Sequence, residues 1–187
     1  MTRAAQAIDG SAIEAAAGLV AEALAADRTV FVCGNGGSAA ISNHLLCDFA
    51  KGIQTDTIIR PKVVSLSADL EFITAIANDI SYDDVFVFQL RTAARTGDLV
   101  LTISSSGNSE NVVRPLQWAR NNGVRSITFT GFDGGRSAKL ADLNVHVPAH
   151  NYGVVECLHL SVMHILAQFL RTKNMDPKLV GAQILKY

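Results

Sequence analysis

The chain has 187 residues and a mass of 19.9 kDa, the size of one domain, and its 49% hydrophobic content is enough for a sizeable core. That composition excludes a disordered chain, and a net charge of -1 excludes the basic footprint of a nucleic-acid binder. No apolar run reaches the roughly 18 residues of a membrane span, and Met1 to Gly10 lacks the basic-then-apolar pattern of a secretory signal, so a cytoplasmic address is expected. Cys33, Cys47 and Cys157 lie in apolar periodic segments without metal-finger spacing, which reads as three buried thiols in a reducing compartment.

Residues 1–28 form an N-terminal helical segment, in which Ala12 to Ala26 is nearly all good helix formers. Thr29 to Cys33 is a short β-branched and aromatic run closed by Gly34, a strand followed by a turn. Ala39 to Ala50 returns to helical period, Lys62 to Leu66 is strand-like, and Leu70 to Ala77 and Asp83 to Ala94 are helical. Gly97-Asp98 breaks the chain before a strand at Leu99 to Ile103, and Glu110 to Asn122 is a helix stopped by Gly123. Ser126 to Thr130 and Asn144 to Pro148 supply two more strands, and Val154 to Arg171 is a long amphipathic helix. The tail, 173–187, carries Pro177 and Gly181 and is expected to end as a short helix or strand arm. Strands and helices alternating about five times predict a single α/β domain, a parallel sheet with helices on both faces. Ligands of such folds sit beyond the carboxyl ends of the strands.

Two strand-to-helix junctions stand out there. Cys33-Gly-Asn-Gly-Gly-Ser-Ala39 has three glycines that let the backbone turn and expose its N–H groups. It satisfies a weak dinucleotide fingerprint and lacks the Lys-Ser/Thr of a P-loop, so a dinucleotide site and a merely tight turn both remain open on this loop alone. The second junction, Leu101-Thr-Ile-Ser-Ser-Ser-Gly-Asn-Ser-Glu110, sets Ser104, Ser105, Ser106 and Ser109 beside a positive helix end. That suits one phosphate monoester held without Lys or Arg. Ser109 as a helix N-cap explains one serine and leaves three.

Two further segments carry titratable pairs. His44 and Asp48 lie at i and i+4, on one helix face, as a proton-transfer couple, two ligands of one metal or an ordinary polar contact. On the last helix Glu156 and His159 (i, i+3) make the better pair by spacing, with His164 roughly 140° round from His159.

Gly34-Asn-Gly-Gly-Ser-Ala-Ala40 and Ile103-Ser-Ser-Ser-Gly-Asn-Ser109 resemble the two signature loops of sugar isomerase (SIS) domains, and the phosphoheptose isomerases among them most of all. The resemblance runs through Ile73 to Asp79, Phe129 to Gly135 and His159 to Ile165. It implies an aldose–ketose isomerase working through an enediol or enediolate, on sedoheptulose 7-phosphate or a related sugar phosphate. Asn35, Gly36, Gly37, Ser38, Ser104, Ser105, Ser106 and Ser109 then match the phosphate and substrate loops, and Asn78 and Asp79 match positions that contact sugar hydroxyls. His44, Asp48, Glu156 and His164 stand where metal-containing members bind zinc, with Asp48 and His164 as proton-transfer groups and Glu156 a second candidate base. The chain departs from the family in having Asp48 for Glu, Glu156 for Gln, Gly52 in place of a basic residue and Phe88 in place of Arg. The resemblance also implies a homotetramer with sites between subunits; charge and hydropathy lead us to expect no nucleic-acid or membrane partner, and the serine cluster no nucleotide cofactor. The alternative within the family is a non-catalytic module that binds a sugar phosphate or a protein.

Overall fold

The structure, a computed structural model, describes residues 1–180, so part of the predicted tail lies outside the described residues. Its centre is five parallel strands: β1 (Thr29–Gly34), β2 (Lys62–Ser65), β3 (Leu99–Ser104), β4 (Arg125–Thr130) and β5 (Leu143–His146), in the order β2-β1-β3-β4-β5. The strand ends are pinned by side chains. Asp98 is 5% exposed and accepts from the Thr29 and Arg95 N–H groups at 2.9 and 2.8 Å, which ties β1 to the turn before β3.

A short α1 (Thr2–Gln6) precedes α2 (Gly10–Ala25), α3 (Gly37–Cys47), α4 (Leu70–Asp79), α5 (Val85–Ala93), α6 (Glu110–Asn121), α7 (Ser137–Leu140) and α8 (Tyr152–Asn174). Three helices begin where a side-chain oxygen takes a free N–H: Asp9 from Ser11, Asp69 from Phe72 and Asn151 from Val154. On one face of the sheet α2, α3 and α8 bury Ala16, Val20, Leu45, Val162 and Leu166 against β1, β3 and β4. On the other, α4, α5 and α6 bury Ile76, Phe86, Leu90 and Leu116. Each such side chain, removed from water, is worth about 1.5–3 kcal/mol.

Three details differ from the sequence reading. The helix expected over Ala39 to Ala50 stops at Cys47 and widens into a π-helical turn, Asp48–Ile53, so that Phe49 and Ile53 reach the core. Cys33 is buried, whereas Cys47 and Cys157 are exposed. Each sits two positions, about 200°, past an inward-facing residue, Leu45 or Val155, which turns the thiol outward. By length and composition α8 does qualify as a span, with a mean hydropathy of 1.5 over 18 residues, though this apolarity has a local explanation. Val155, Leu158, Val162, Met163, Leu166 and Leu170 pack inward, and the same helix buries His159 and Arg171.

Candidate functional site

Strand order reverses at β1 and β3: from β1 the chain moves outward to β2, then returns to β3 on the other side. The loops leaving these two strands therefore diverge and open a crevice, the position where such sheets take ligands. These are the two loops singled out by their glycines and serines. Gly34 pairs in register with Ile103, and a Cβ on Gly34 would stand 2.8 Å from the Ile103 carbonyl oxygen and 2.7 Å from Ser38 Cβ, so only glycine lets the loops approach this closely. Gly107, at φ +64°, packs on Gly134 and Gly135, where a Cβ would overlap the Gly134 carbonyl.

A cleft of about 110 Å³ lies between the loops. Ser38 at the start of α3 and Ser104, Ser105, Ser106 and Ser109 ahead of α6 open on it, with Asn35, Tyr152 and Glu156 at its sides. Among the described residues the buried Ser105 hydroxyl has no hydrogen-bond partner, and Ser109, though at the N-cap of α6, makes no capping bond with its side chain. Ser104 and Ser106 accept from the Gly107 and Asn108 N–H groups, which leaves their hydroxyl protons to donate. Capping therefore does not account for this serine cluster. Among the described residues no Lys or Arg lines the cleft; the N-termini of α3 and α6 supply positive potential there. Gly36, at φ +54°, turns the chain into α3, and Gly37 lies with its backbone against the Glu156 carboxylate.

A second cluster lies at the far end of α3. The Asp48 carboxylate bonds His164 Nδ1 at 2.7 Å through Oδ2 and meets His44 Nε2 at 3.3 Å through Oδ1. The two imidazoles stand edge to face with centroids 4.9 Å apart. Ligand atoms of His44, Asp48 and His164 all fall within 4.8 Å of one another, the donor types and spacing that hold a divalent cation. Glu156 does not join them; its carboxylate sits in the serine cleft, eight residues before His164 on α8. His159, the partner that spacing favoured for Glu156, is fully buried with Nε2 3.1 Å from the Thr130 carbonyl oxygen. Burial pushes its imidazole down to about 4, so it is a neutral core residue at pH 7.

The SIS domain family model matches residues 1–131. The chain belongs to the SIS domain family. Among its relatives, the phosphoheptose isomerase of Colwellia psychrerythraea is 36% identical over 166 residues, 87% of this chain and 84% of that protein. The structure of phosphoheptose isomerase from Neisseria gonorrhoeae superposes with a TM-score of 0.84 at 31% identity, covering 90% of each chain. A phosphoheptose isomerase from Francisella tularensis gives the same TM-score at 26% identity, over 91% of this chain and 90% of that one. The sheet and its flanking helices match the SIS fold of these structures, as the alternation of elements predicted.

Within this SIS domain, Asn78 and Asp79 end α4, exposed and bonded to each other at 2.7 Å, outside the cleft lining. Gly52 is buried in the π-helical turn and Lys51 beside it is exposed. Phe88 stacks edge-on with Phe72, and the neighbouring Gln89 is buried, donating to the Leu66 and Val85 carbonyls. Two residues at the site carry no signal in the sequence. Asn111, 2% exposed, exchanges two hydrogen bonds with the Asn35 carboxamide, and the Tyr82 hydroxyl donates to Asn35 Oδ1 at 3.1 Å.

Proposed function

We propose that this chain is a phosphoheptose isomerase that interconverts sedoheptulose 7-phosphate and D-glycero-D-manno-heptose 7-phosphate. The observation that carries the reading is the placement of two unlike sites at opposite ends of α3: hydroxyls and helix N-termini at Ser38, a hydrogen-bonded carboxylate and imidazole at Asp48. The ten residues between them span about 15 Å along the axis. An extended seven-carbon sugar phosphate is about 10 Å long, and the reach of a serine at one end and an aspartate at the other covers the rest. A triose phosphate, about half that length, does not bridge the two ends.

In this mechanism the phosphate takes hydrogen bonds from Ser38, Ser104, Ser105, Ser106 and Ser109, with the Gly36–Gly37 turn and Asn35 beside them. Asp48 removes a proton from C1 of the ketose and returns it to C2, which leaves the aldehyde at C1. The Asp48 carboxylate accepts from His164 Nδ1–H, so Nε2 carries the lone pair and is the nitrogen that moves the proton between O1 and O2 of the enediol. His44, Asp48 and His164 are the residues that fit a divalent cation such as zinc, and a cation there supplies polarisation of the carbonyl and charge for the enediolate. Glu156, set apart from that trio, is the second choice as base and as ligand.

The site proposal extends to the assembly. Ile165 and Phe169, 50% and 46% exposed on α8, form an apolar strip beside Ile13 of α2 that supports a homo-oligomer, a tetramer in keeping with the resemblance. A cytoplasmic address fits this enzyme class. A non-catalytic sugar-phosphate module has no use for a carboxylate held between two imidazoles.

The test is aldose–ketose interconversion by the purified protein, on sedoheptulose 7-phosphate and progressively shorter sugar phosphates, with and without chelator. Turnover that falls with sugar length, and falls with chelator, is expected. Tight binding with no turnover anywhere in the series overturns the enzyme reading.

A further inference from the structure

A carboxamide offers two acceptor sites on its oxygen and two N–H donors. At Asn35, on the wall of the cleft, three of the four are spent on the protein. Its Oδ1 accepts from Asn111 Nδ2–H at 2.9 Å and from the Tyr82 hydroxyl at 3.1 Å, while its own Nδ2 donates to Asn111 Oδ1 at 2.8 Å. One N–H remains.

We infer that Tyr82 and Asn111 are positioning residues that lock the Asn35 carboxamide so that it offers the cleft a hydrogen-bond donor and no acceptor. The inference rests on the sugar-phosphate reading of that cleft and specifies what this wall recognises: an acceptor oxygen of the phosphorylated ligand. Without the lock the amide rotates and presents its oxygen to an anion as readily as its N–H. Asn111, almost fully buried, fixes one edge of the amide where water does not compete. Tyr82 fixes the oxygen from a half-exposed side chain, and its position depends on the same helix that carries Asn111. Tyr82 opens the 3₁₀ turn Tyr82–Asp84, and Arg114 of α6 holds this turn through Asp84 at 2.8 Å and Asp83 at 3.4 Å. Ser81 adds a cap, accepting from the Asp83 N–H at 3.0 Å. Thus α6 supplies Asn111 directly and braces Tyr82 through Arg114, while its N-terminus carries the serine loop.

Tyr82→Phe tests this with little risk to folding, since Tyr82 is 55% exposed and loses only a hydroxyl. Asn111→Asp is the second variant; it keeps size and shape but removes the donor to Asn35 Oδ1. For sedoheptulose 7-phosphate, each is expected to raise KM roughly three- to tenfold with kcat little changed, because Asn35 holds the ligand and not the reacting carbons. Calorimetric binding of inorganic phosphate weakens in the same order, and Tm for Tyr82→Phe stays at the wild-type value. An equal fall in kcat and kcat/KM, or unchanged KM in both variants, overturns the inference. A measurement without ligand separates it from the sugar-phosphate reading. The Asn35 side-chain amide resonances, assigned by their loss in Asn35→Ala, shift and exchange faster in Tyr82→Phe. If they stay fixed the lock is refuted, whatever the cleft binds.

Discussion

Of the two histidines of α8, His159 is buried in the core and His164 is partly exposed beside Asp48. The His159 imidazole is fully buried, and burial pushes it from 6.5 to about 4 against a smaller opposing effect of its bond to the Thr130 carbonyl. In the unfolded chain the group protonates near 6.5; in the folded chain it stays neutral down to about 4. Between these values the unfolded state binds more protons, so stability is at full strength above pH 6.5 and falls as pH drops towards 4. At 1.36 kcal/mol per pK unit the loss from this one residue totals about 3 kcal/mol. The perturbation is His159→Gln, which cannot titrate yet retains an N–H for the Thr130 carbonyl. Urea denaturation followed by circular dichroism at half-unit steps from pH 7.5 to pH 4 gives both stability curves. The variant is less stable at pH 7, and the gap narrows by about 3 kcal/mol towards pH 4. His146, lowered by desolvation, titrates in both proteins, and His146→Gln in both backgrounds removes its charge from the comparison. Parallel curves would refute the assignment of His159 as a buried neutral base.

Asp48→Asn retains the contact to His164 and removes the base; kcat is expected to fall at least about 100-fold, with Tm within a few degrees of wild type, and retention of more than a tenth of kcat would exclude Asp48 as the proton acceptor. Ser105→Ala removes a buried hydroxyl that has no partner among the described residues, so Tm by scanning fluorimetry holds or rises slightly while KM for the phosphorylated sugar rises roughly tenfold; a drop in Tm with KM unchanged would make Ser105 structural.

The strands were legible because each is a β-branched or aromatic run between breakers: Thr29 to Cys33 closed by Gly34, Leu99 to Ile103 opened by Gly97-Asp98. The serine and glycine loops were legible for the same reason, since their residues are consecutive, and the structure brings both onto one cleft. The Asp48–His164 bond was reachable only through the resemblance, because it joins positions 116 residues apart and their own spacing favoured Glu156 with His159. That preference failed on burial: i, i+3 spacing brings side chains onto one face, but which face meets the sheet is decided by Val155, Leu158 and Val162, and His159 falls on the inward side. The π-helical turn at Asp48 left no trace in composition. Nor did the Asn35–Asn111–Tyr82 lock, whose hydrogen bonds cross 76 and 47 positions.

The two departures, Asp48 and Glu156, stand at opposite ends of the face between α3 and α8. Gly37 lies beside Glu156 and Asp48 beside His164, so α3 and α8 run side by side in the same direction. The eight residues from Glu156 to His164 cover about 12 Å, close to the length of α3 between its own two sites. That spacing sets one α8 side chain, Glu156, beside the serine cleft and another, His164, beside Asp48. Under the proposed function, the Glu156 carboxylate at the border of the serine cleft weakens the hold on a phosphate and favours a ligand with a hydroxyl to donate at that wall. At the other end a shortened carboxylate is held by two imidazoles and so loses reach while gaining a fixed direction. Under the proposed function proton transfer demands direction, which the two imidazoles supply to this shorter side chain.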